Sequence, residues 1–415
     1  MNETSRIVIV GAGHAGGTTA ALLRQYGHVG PIALVGAEPH PPYQRPPLSK
    51  AWLKGQADHE ALSLKPCGWY GDNAVDLLSS RTATAIERAE GGGGRVYLSG
   101  EAEPLIYDFL VLAAGARARA LPIEGCELTG VLTLRDIQDA ERLKDALTVE
   151  GTPRRLAIIG GGYVGLEAAA SARALGAAVT IIEREHRILA RVACPILSEF
   201  FEARHREQGV DFRMDAGVRR LIGEGGKATG VEFDDGSVLG CDLVLIGVGA
   251  IPNDELVRAA GLVCDDGVVV DLAARTSDPT IHAVGDVTRR PLPRYDRMAR
   301  LESVPNALEQ AKQAACAILG RPAPEPETPW FWSDQYELKL QIAGLPFGCD
   351  DMVVRGDPGR PGFALFHMAG DIIQAVEAVN APAEFMLGRQ WIGRRTLVAR
   401  ERLADPNIPM KAVLQ

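Results

Sequence analysis

The sequence predicts an α/β protein of two tandem domains, each built on a parallel sheet, followed by a smaller α+β domain. Three observations predict it. A strand, a glycine-rich turn and a helix occur twice, over residues 6–26 and 156–175. Each copy is followed by a buried-type strand that ends in small residues, at 107–115 (YDFLVLAAG) and 241–249 (CDLVLIGVG). A proline-rich polar stretch, 321–329 (RPAPEPETP), then marks a crossing segment, after which the pattern changes to short strand-like pieces.

The chain has 415 residues. At roughly 100–200 residues per domain that is two or three domains. With 46% hydrophobic and 23% charged residues it is not a largely disordered chain. No apolar run approaches the roughly 18 residues that span a bilayer, which argues against an integral membrane protein. Residues 1–10 run straight into a strand without a basic, cleavable leader, so the expected location is the cytoplasm. The net charge of −9 argues against a protein that coats nucleic acid.

In chain order, strand 6–10 (RIVIV) leads into Gly11, Gly13 and Gly16, then a helix to about residue 26 and a second strand at 31–35. Residues 91–94 read as a hairpin tip. Strand 156–159 (LAII) leads into Gly160, Gly162 and Gly165, an Ala-rich helix and a strand at 178–182. Residues 280–286 (TIHAVGD) form a third strand ending in Gly-Asp, and 302–319 a helix. Strand pieces at 338–342, 352–354 and 363–367 and a helix over 383–392 make the last domain.

Each glycine loop has a physical purpose. The first glycine permits the tight turn, the second lets a pyrophosphate approach the backbone, and the third lets helix and strand pack closely. The helix N-terminus then offers free N–H groups and the positive end of its dipole. Both loops therefore read as Rossmann-type dinucleotide sites. Glu183 ends the second strand of the second copy, where a carboxylate binds an adenosine ribose and repels a 2′-phosphate; this favours NADH over NADPH. Arg184 beside it softens that preference unless it is only a solvated charge. In the first copy the acid arrives late, and Glu38 is the candidate ribose ligand.

Several stretches identify a family when taken together. These are PYQRPPLSK at 42–50, GGGYVGLE at 160–167, TSDPTIHAVGD at 276–286, ESVPNALEQA at 302–311 and WFWSDQYE at 330–337. They resemble the FAD-dependent, putidaredoxin-reductase-like ferredoxin reductases of oxygenase systems, over essentially the whole chain. The resemblance implies a glutathione-reductase-like fold in which an FAD domain (1–114 and 247–322) is split by an NADH domain (115–246) and followed by a C-terminal domain (323–415). It implies electron transfer from NADH through FAD to a [2Fe–2S] ferredoxin that serves a cytochrome P-450 or Rieske-type oxygenase.

The resemblance also implies roles. FAD is expected on Gly11, Gly13, His14, Ala15, Gly16, Glu38, Arg45, Lys50, Ala83, Ala114, Gly115, Arg135, Asp286, Val304 and Trp332. NADH is expected on Gly160, Gly162, Tyr163, Val164, Glu167, Glu183, Arg191 and Gly249. Lys50 and Glu167 make a candidate buried pair beside the reacting end of the flavin, with Tyr163 as a candidate gate and Trp332 against the ring. A metal is not expected. Ala37 stands where the family often has an acid, and LRDIQDA at 134–140 departs from the family's usual form around Arg135.

The cysteines narrow the class. The seven, Cys67, Cys126, Cys194, Cys241, Cys264, Cys316 and Cys349, include no C-x-x-C and no metal-type pairing, and read as scattered buried thiols. Without a dithiol, or a single reactive Cys where Ser49 and Lys50 stand, electrons must leave singly to an external acceptor. The aromatic cluster Trp330, Phe331 and Trp332 is the candidate exit. Because the protein is acidic, docking of an acidic ferredoxin needs a local basic patch, for which Lys312, Lys339, Arg389, Arg394, Arg395 and Lys411 are candidates. A monomer is the expected state. Two other readings remain open at this point: an NADH oxidase or quinone reductase of the same fold, and an apoptosis-inducing-factor-like flavoprotein.

Overall fold

The structure, a computed structural model, describes residues 3–66, 68–149 and 153–414. Cys67 lies outside these residues. The chain divides into two compact units. The first comprises Met1–Gln44, His59–Arg117 and Ile251–Pro329, and the second Arg45–Asp58, Ala118–Ala250 and Trp330–Gln415. No described helix is long and apolar enough to cross a membrane.

The first unit is built on a five-stranded parallel sheet in the order Ile281–Ala283, Phe109–Leu112, Ile7–Val10, Ile32–Val35, Val75–Leu78. The central strand is buried along its whole length, which is why it reads as an unbroken apolar run rather than an alternation. Ile7 and Ile9 enter a core with Leu23, Ala314 and Ile318, residues of the helices His14–Gln25 and Val304–Ile318. Val8 and Val10 face the opposite core, with Val96, Leu98 and Val268. The strands Ala83–Arg88 and Gly94–Leu98 pair around the glycine tip at 91–94.

Helix Val304–Ile318 starts for clear local reasons. Ser303 caps it by accepting the Asn306 N–H at 3.3 Å, and a proline occupies its first turn. Its buried face carries Glu309, which grips Arg290 in a two-point pair at 2.9 and 3.0 Å. Glu309 also accepts from Gln313 Nε2 and from the Glu327 N–H, so both charges are hydrogen-bonded as burial demands.

The second unit contains another five-stranded parallel sheet, in the order Val210–Arg213, Ala178–Ile182, Arg155–Ile159, Leu243–Ile246, Val131–Leu132. It also holds an antiparallel sheet in the order Trp330–Gln335, Leu338–Gly344, Ile372–Val379, Phe363–Ala369, Asp351–Arg355. The two sheets share one apolar core, in which Leu156, Ile158, Leu166 and Phe201 meet Leu338, Leu340, Phe363 and Val379. The small side chains of helix Tyr163–Ala174, including Ala168, Ala169 and Ala172, belong to the same core. Helix Pro382–Arg394 closes on a left-handed Arg395 (φ +52°).

Replacing Glu309 with Ala leaves the Arg290 guanidinium buried without its carboxylate. The expected loss is about 3–5 kcal/mol of unfolding free energy, read by urea denaturation. A loss below about 1 kcal/mol would show that the pair is not structural.

Candidate functional site

Both glycine loops have the same geometry. At Gly11 (φ +115°) a Cβ would lie 2.1 Å from the Ala113 carbonyl oxygen, and at Gly16 1.9 Å from the Gly11 oxygen, whereas at Gly13 it would meet nothing within 4 Å. In the second unit Gly160 (φ +112°) would meet the Gly247 oxygen at 2.4 Å, Gly165 the Gly160 oxygen at 2.3 Å, and Gly162 again nothing. Two glycines of each loop are thus required by packing, and the middle one leaves open space. The helices that follow carry no acid in their first turn and no side-chain cap. Open space before an uncapped helix N-terminus is what a dinucleotide pyrophosphate fits.

The other first-unit candidates gather where parallel strands end. Gly11, Gly13, His14, Ala15 and Gly16 follow Ile7–Val10, Ala114 and Gly115 follow Phe109–Leu112, and half-buried Asp286 lies in the turn after Ile281–Ala283. Carboxyl ends of parallel strands are the usual ligand edge of such sheets. Asn253 pins this edge by donating to the Ala114 oxygen at 2.8 Å from Nδ2 and to the Gly115 oxygen at 3.0 Å from its N–H. Glu38 is held by the Tyr43 hydroxyl, which donates to it at 2.6 Å. Ala83 opens a strand of the neighbouring antiparallel sheet, and Val304 opens its helix; both are half-buried.

In the second unit the Glu183 carboxylate accepts the Gly161 N–H at 2.7 Å and the Glu185 N–H at 3.0 Å. It braces the loop and, with up to two acceptor sites on each oxygen, retains capacity for a ribose hydroxyl. Arg184 is 83% exposed and pairs with Glu185 at 3.4 Å, so it is a solvated charge. Arg191 is exposed and comes close to Gly249, whose added Cβ would lie 3.8 Å from Nη2. Val164 is exposed beside the open loop. The Arg45 guanidinium donates to the Arg135 carbonyl at 2.7 Å, which brings those two residues together.

The centre of the second unit is Glu167. Its carboxylate is buried and accepts three side-chain donors, each at 2.6 Å: Ser49 Oγ and Lys50 Nζ on one oxygen, Ser333 Oγ on the other. Lys50 also donates to the Pro46 carbonyl at 3.0 Å, and Ser171 on the same helix donates to the Ser49 carbonyl at 2.7 Å. The expected Lys50–Glu167 pair therefore exists, in a site better satisfied than the sequence indicated.

Ser333 was missed, and so was the chain of donors behind it. The Tyr336 hydroxyl is 3.0 Å from His205 Nδ1, and His205 Nε2 is 2.9 Å from Gln335 Oε1. Gln335 Nε2 donates to Ser333 Oγ at 3.2 Å. A neutral His205 with its proton on Nε2 makes every donor in this row point toward Glu167. Burial pushes the His205 pKa down to about 4, against the partly opposing bond to Gln335. The signal lay in the alternation of the strand. Phe331, Ser333 and Gln335 share one face, whereas Trp330 and Trp332 occupy the other.

On that second face the Trp330 and Trp332 rings lie 5.6 Å apart, with Phe385 5.6 Å and the Arg389 guanidinium 5.0 Å from Trp330. Trp330 and Arg389 are half-buried against each other, and Phe331, grouped with the two tryptophans in the expected exit cluster, lies on the opposite face of the strand. Lys312, Lys339, Arg394, Arg395 and Lys411 are exposed. On the first face Phe331 packs edge-on to Tyr163 at 4.8 Å, and the Tyr163 hydroxyl donates to the Val192 carbonyl at 3.3 Å. Tyr163 is held well above its usual pKa, by desolvation first and then by Glu377 and Cys194.

The six described cysteines are free thiols. Cys241 and Cys316 are buried, but Cys126, Cys194, Cys264 and Cys349 are only half-buried, so the expectation of buried thiols holds for two of them. Burial, aided by Glu377, pushes Cys194 up to about 12, and burial pushes Cys241 up to about 11. Neither is a poised thiolate.

His205 has a folded-state pKa below its unfolded value of 6.5, so its contribution to stability is complete above that pH and is lost as pH falls toward 4. About 3 kcal/mol of acid-side loss is expected from this group. In urea melts between pH 7 and 4, His205→Asn should flatten the wild-type slope; parallel slopes would show that His205 is not buried neutral.

Residues 5–311 match the family model described as pyridine nucleotide-disulphide oxidoreductase, and residues 330–414 match that described as reductase C-terminal. A probable ferredoxin reductase of Castellaniella defragrans is 48% identical over 414 residues, 100% of both chains. A putidaredoxin reductase of Pseudomonas putida is 42% identical over 419 residues, 100% of this chain and 98% of its own. The crystal structure of a covalent putidaredoxin reductase–putidaredoxin complex superposes with a TM-score of 0.94 at 42% identity, covering 99% of this chain and 98% of that one. The chain therefore belongs to the pyridine nucleotide-disulphide oxidoreductase family, in its group of ferredoxin reductases that carry the reductase C-terminal domain.

Proposed function

We propose that the protein is an NADH:ferredoxin reductase that uses FAD and delivers electrons to a [2Fe–2S] ferredoxin for an oxygenase of the cytochrome P-450 or Rieske type. The observation that carries the reading is the pair of glycine cradles, each open at its middle glycine, in a chain where Glu167 on the second cradle's helix pairs with Lys50 of the turn at 46–50. FAD, when bound, accepts a hydride from NADH and releases the two electrons one at a time.

The chain's own residues bind, orient and hold charge. Gly11, Gly13, His14, Ala15 and Gly16 take the FAD pyrophosphate, Glu38 its ribose, and Ala83, Ala114, Gly115, Asp286 and Val304 its remaining polar edge. Arg45 and Arg135 add positive charge, and Trp332 a flat apolar wall. Gly160, Gly162 and Val164 take the NADH pyrophosphate, and Glu183 its ribose, with Arg191 and Gly249 beside it. Glu167 holds the Lys50 ammonium in place at the redox end, and Tyr163 covers the nicotinamide position until NADH arrives. The division into an FAD domain (1–114, 247–322), an NADH domain (115–246) and a C-terminal domain (323–415) is part of this reading.

The partner's approach is assigned to Trp330, Lys312, Lys339, Arg389, Arg394, Arg395 and Lys411, in a cytoplasmic monomer. Relatives named ferredoxin reductase and putidaredoxin reductase, aligned over their whole lengths, support the acceptor class.

The purified yellow protein should oxidise NADH rapidly with a [2Fe–2S] ferredoxin, slowly with oxygen alone and slowly with NADPH. Ferredoxin reduction should fall with salt while reduction of a small dye does not. Rapid oxygen or quinone turnover that ignores ferredoxin would move it to the oxidase class. Glu183→Ala should raise the KM for NADH about 10- to 100-fold, the worth of one charge-assisted hydrogen bond. An unchanged KM would remove Glu183 from the ribose site.

A further inference from the structure

Apart from the residues given roles above, three metal-ligating side chains converge in the second unit. Cys194 stands at the start of the helix Pro195–Glu207. His367 and Glu377 belong to the neighbouring antiparallel strands Phe363–Ala369 and Ile372–Val379. One ligand atom from each lies within 4.8 Å of the other two.

The polar atoms of this cluster are incompletely paired. The Glu377 side chain is only 4% exposed. Its Oε1 accepts the Cys194 N–H at 3.2 Å, but Oε2 has no hydrogen-bond partner. His367 Nε2 has none either, and the two atoms face each other at 3.6 Å. Native interiors rarely leave a carboxylate oxygen and an imidazole nitrogen in that state, and an unoccupied ion position is one of the ordinary explanations.

We propose that Cys194, His367 and Glu377 form a three-ligand site for a thiophilic divalent cation of the Zn2+ type. One sulfur, one nitrogen and one oxygen donor suit Zn2+ and Co2+, whereas Mg2+ and Ca2+ require shells of oxygen. Bonds of about 2.0–2.3 Å to a tetrahedral ion set ligand atoms roughly 3.3–3.8 Å apart. The His367–Glu377 spacing already meets that, and a small movement of the thiol completes it. Three protein ligands leave a fourth position for water. On binding, the S–H bond is replaced by a metal–sulfur bond and the proton goes to solvent. The ion would clamp the start of the helix Pro195–Glu207 to the C-terminal sheet, two residues beyond the carbonyl of Val192 that holds Tyr163. The ligands stand up to 183 residues apart, which is why no cysteine–histidine spacing announces them.

The flavin-loaded full-length protein, stripped with chelator and dialysed against buffered micromolar Zn2+ alone, tests the site by metal analysis. About one tightly held Zn2+ per chain is expected. Cys194→Ala, His367→Gln and Glu377→Gln should each weaken binding by more than the roughly 10–100-fold that loss of an outer-shell partner costs. With Co2+ in place of Zn2+, a sulfur-to-cobalt absorption should appear and be lost in Cys194→Ala. If wild type retains no more Zn2+ than Cys194→Ala, the proposal is wrong. Flavin content and thermal melts check each variant's fold. Should Glu377→Gln fail to fold, the half-buried Cys194→Ala decides the question.

Discussion

The buried carboxylate of Glu167 constrains the second unit more than any other single group. A charge in that position is tolerable only if it is paired and hydrogen-bonded. Its three donors come from chain segments 117, 118 and 166 residues away. The proline turn at 46–50, the helix of the second glycine loop and the first C-terminal strand are therefore fixed to one point. Loss of any donor exposes the others to a partly unsatisfied charge, so the three segments behave as one device although they are scattered along the sequence.

The two nucleotide loops use a common device with different finishing. In both, close backbone contacts at the first and third glycines bring helix and strand together and leave the middle glycine open. The acids that follow differ. Glu183 is tied to the loop's own N–H groups, so its position is inherited from the turn. Glu38 is tied to Tyr43, a residue of the following loop, so its position depends on a side chain. The second acid is set by backbone geometry and the first by an accessory contact, which fits the irregular spacing of the first copy.

The sequence made visible what is local or periodic. Both loops, the parallel strands that read as unbroken apolar runs, and the helix capped by Ser303 could all be placed from short patterns. The Lys50–Glu167 pair could be reached because each half lies inside a recognisable motif. The shared core of the C-terminal sheet and the second parallel sheet was not visible, because Leu340 or Phe363 carries no mark of its partner. The row from Tyr336 through His205 to Ser333 was hidden for the same reason, since polar residues at long separation declare a partner only after folding. The half-burial of Arg389 over Trp330 was equally beyond composition, which identifies a basic residue but not the ring beneath it.

The strand Trp330–Gln335 presents Phe331, Ser333 and Gln335 to one side and Trp330 and Trp332 to the other. Because side chains alternate with a period of two, inserting or deleting one residue here would exchange the two sets at once. Hydroxyl and amide would be turned away from the carboxylate, and indoles would be driven into its place. Length variation in descendants of this chain should therefore collect in the neighbouring stretch 321–329, which has no regular structure. The six-residue strand itself should evolve by substitution alone.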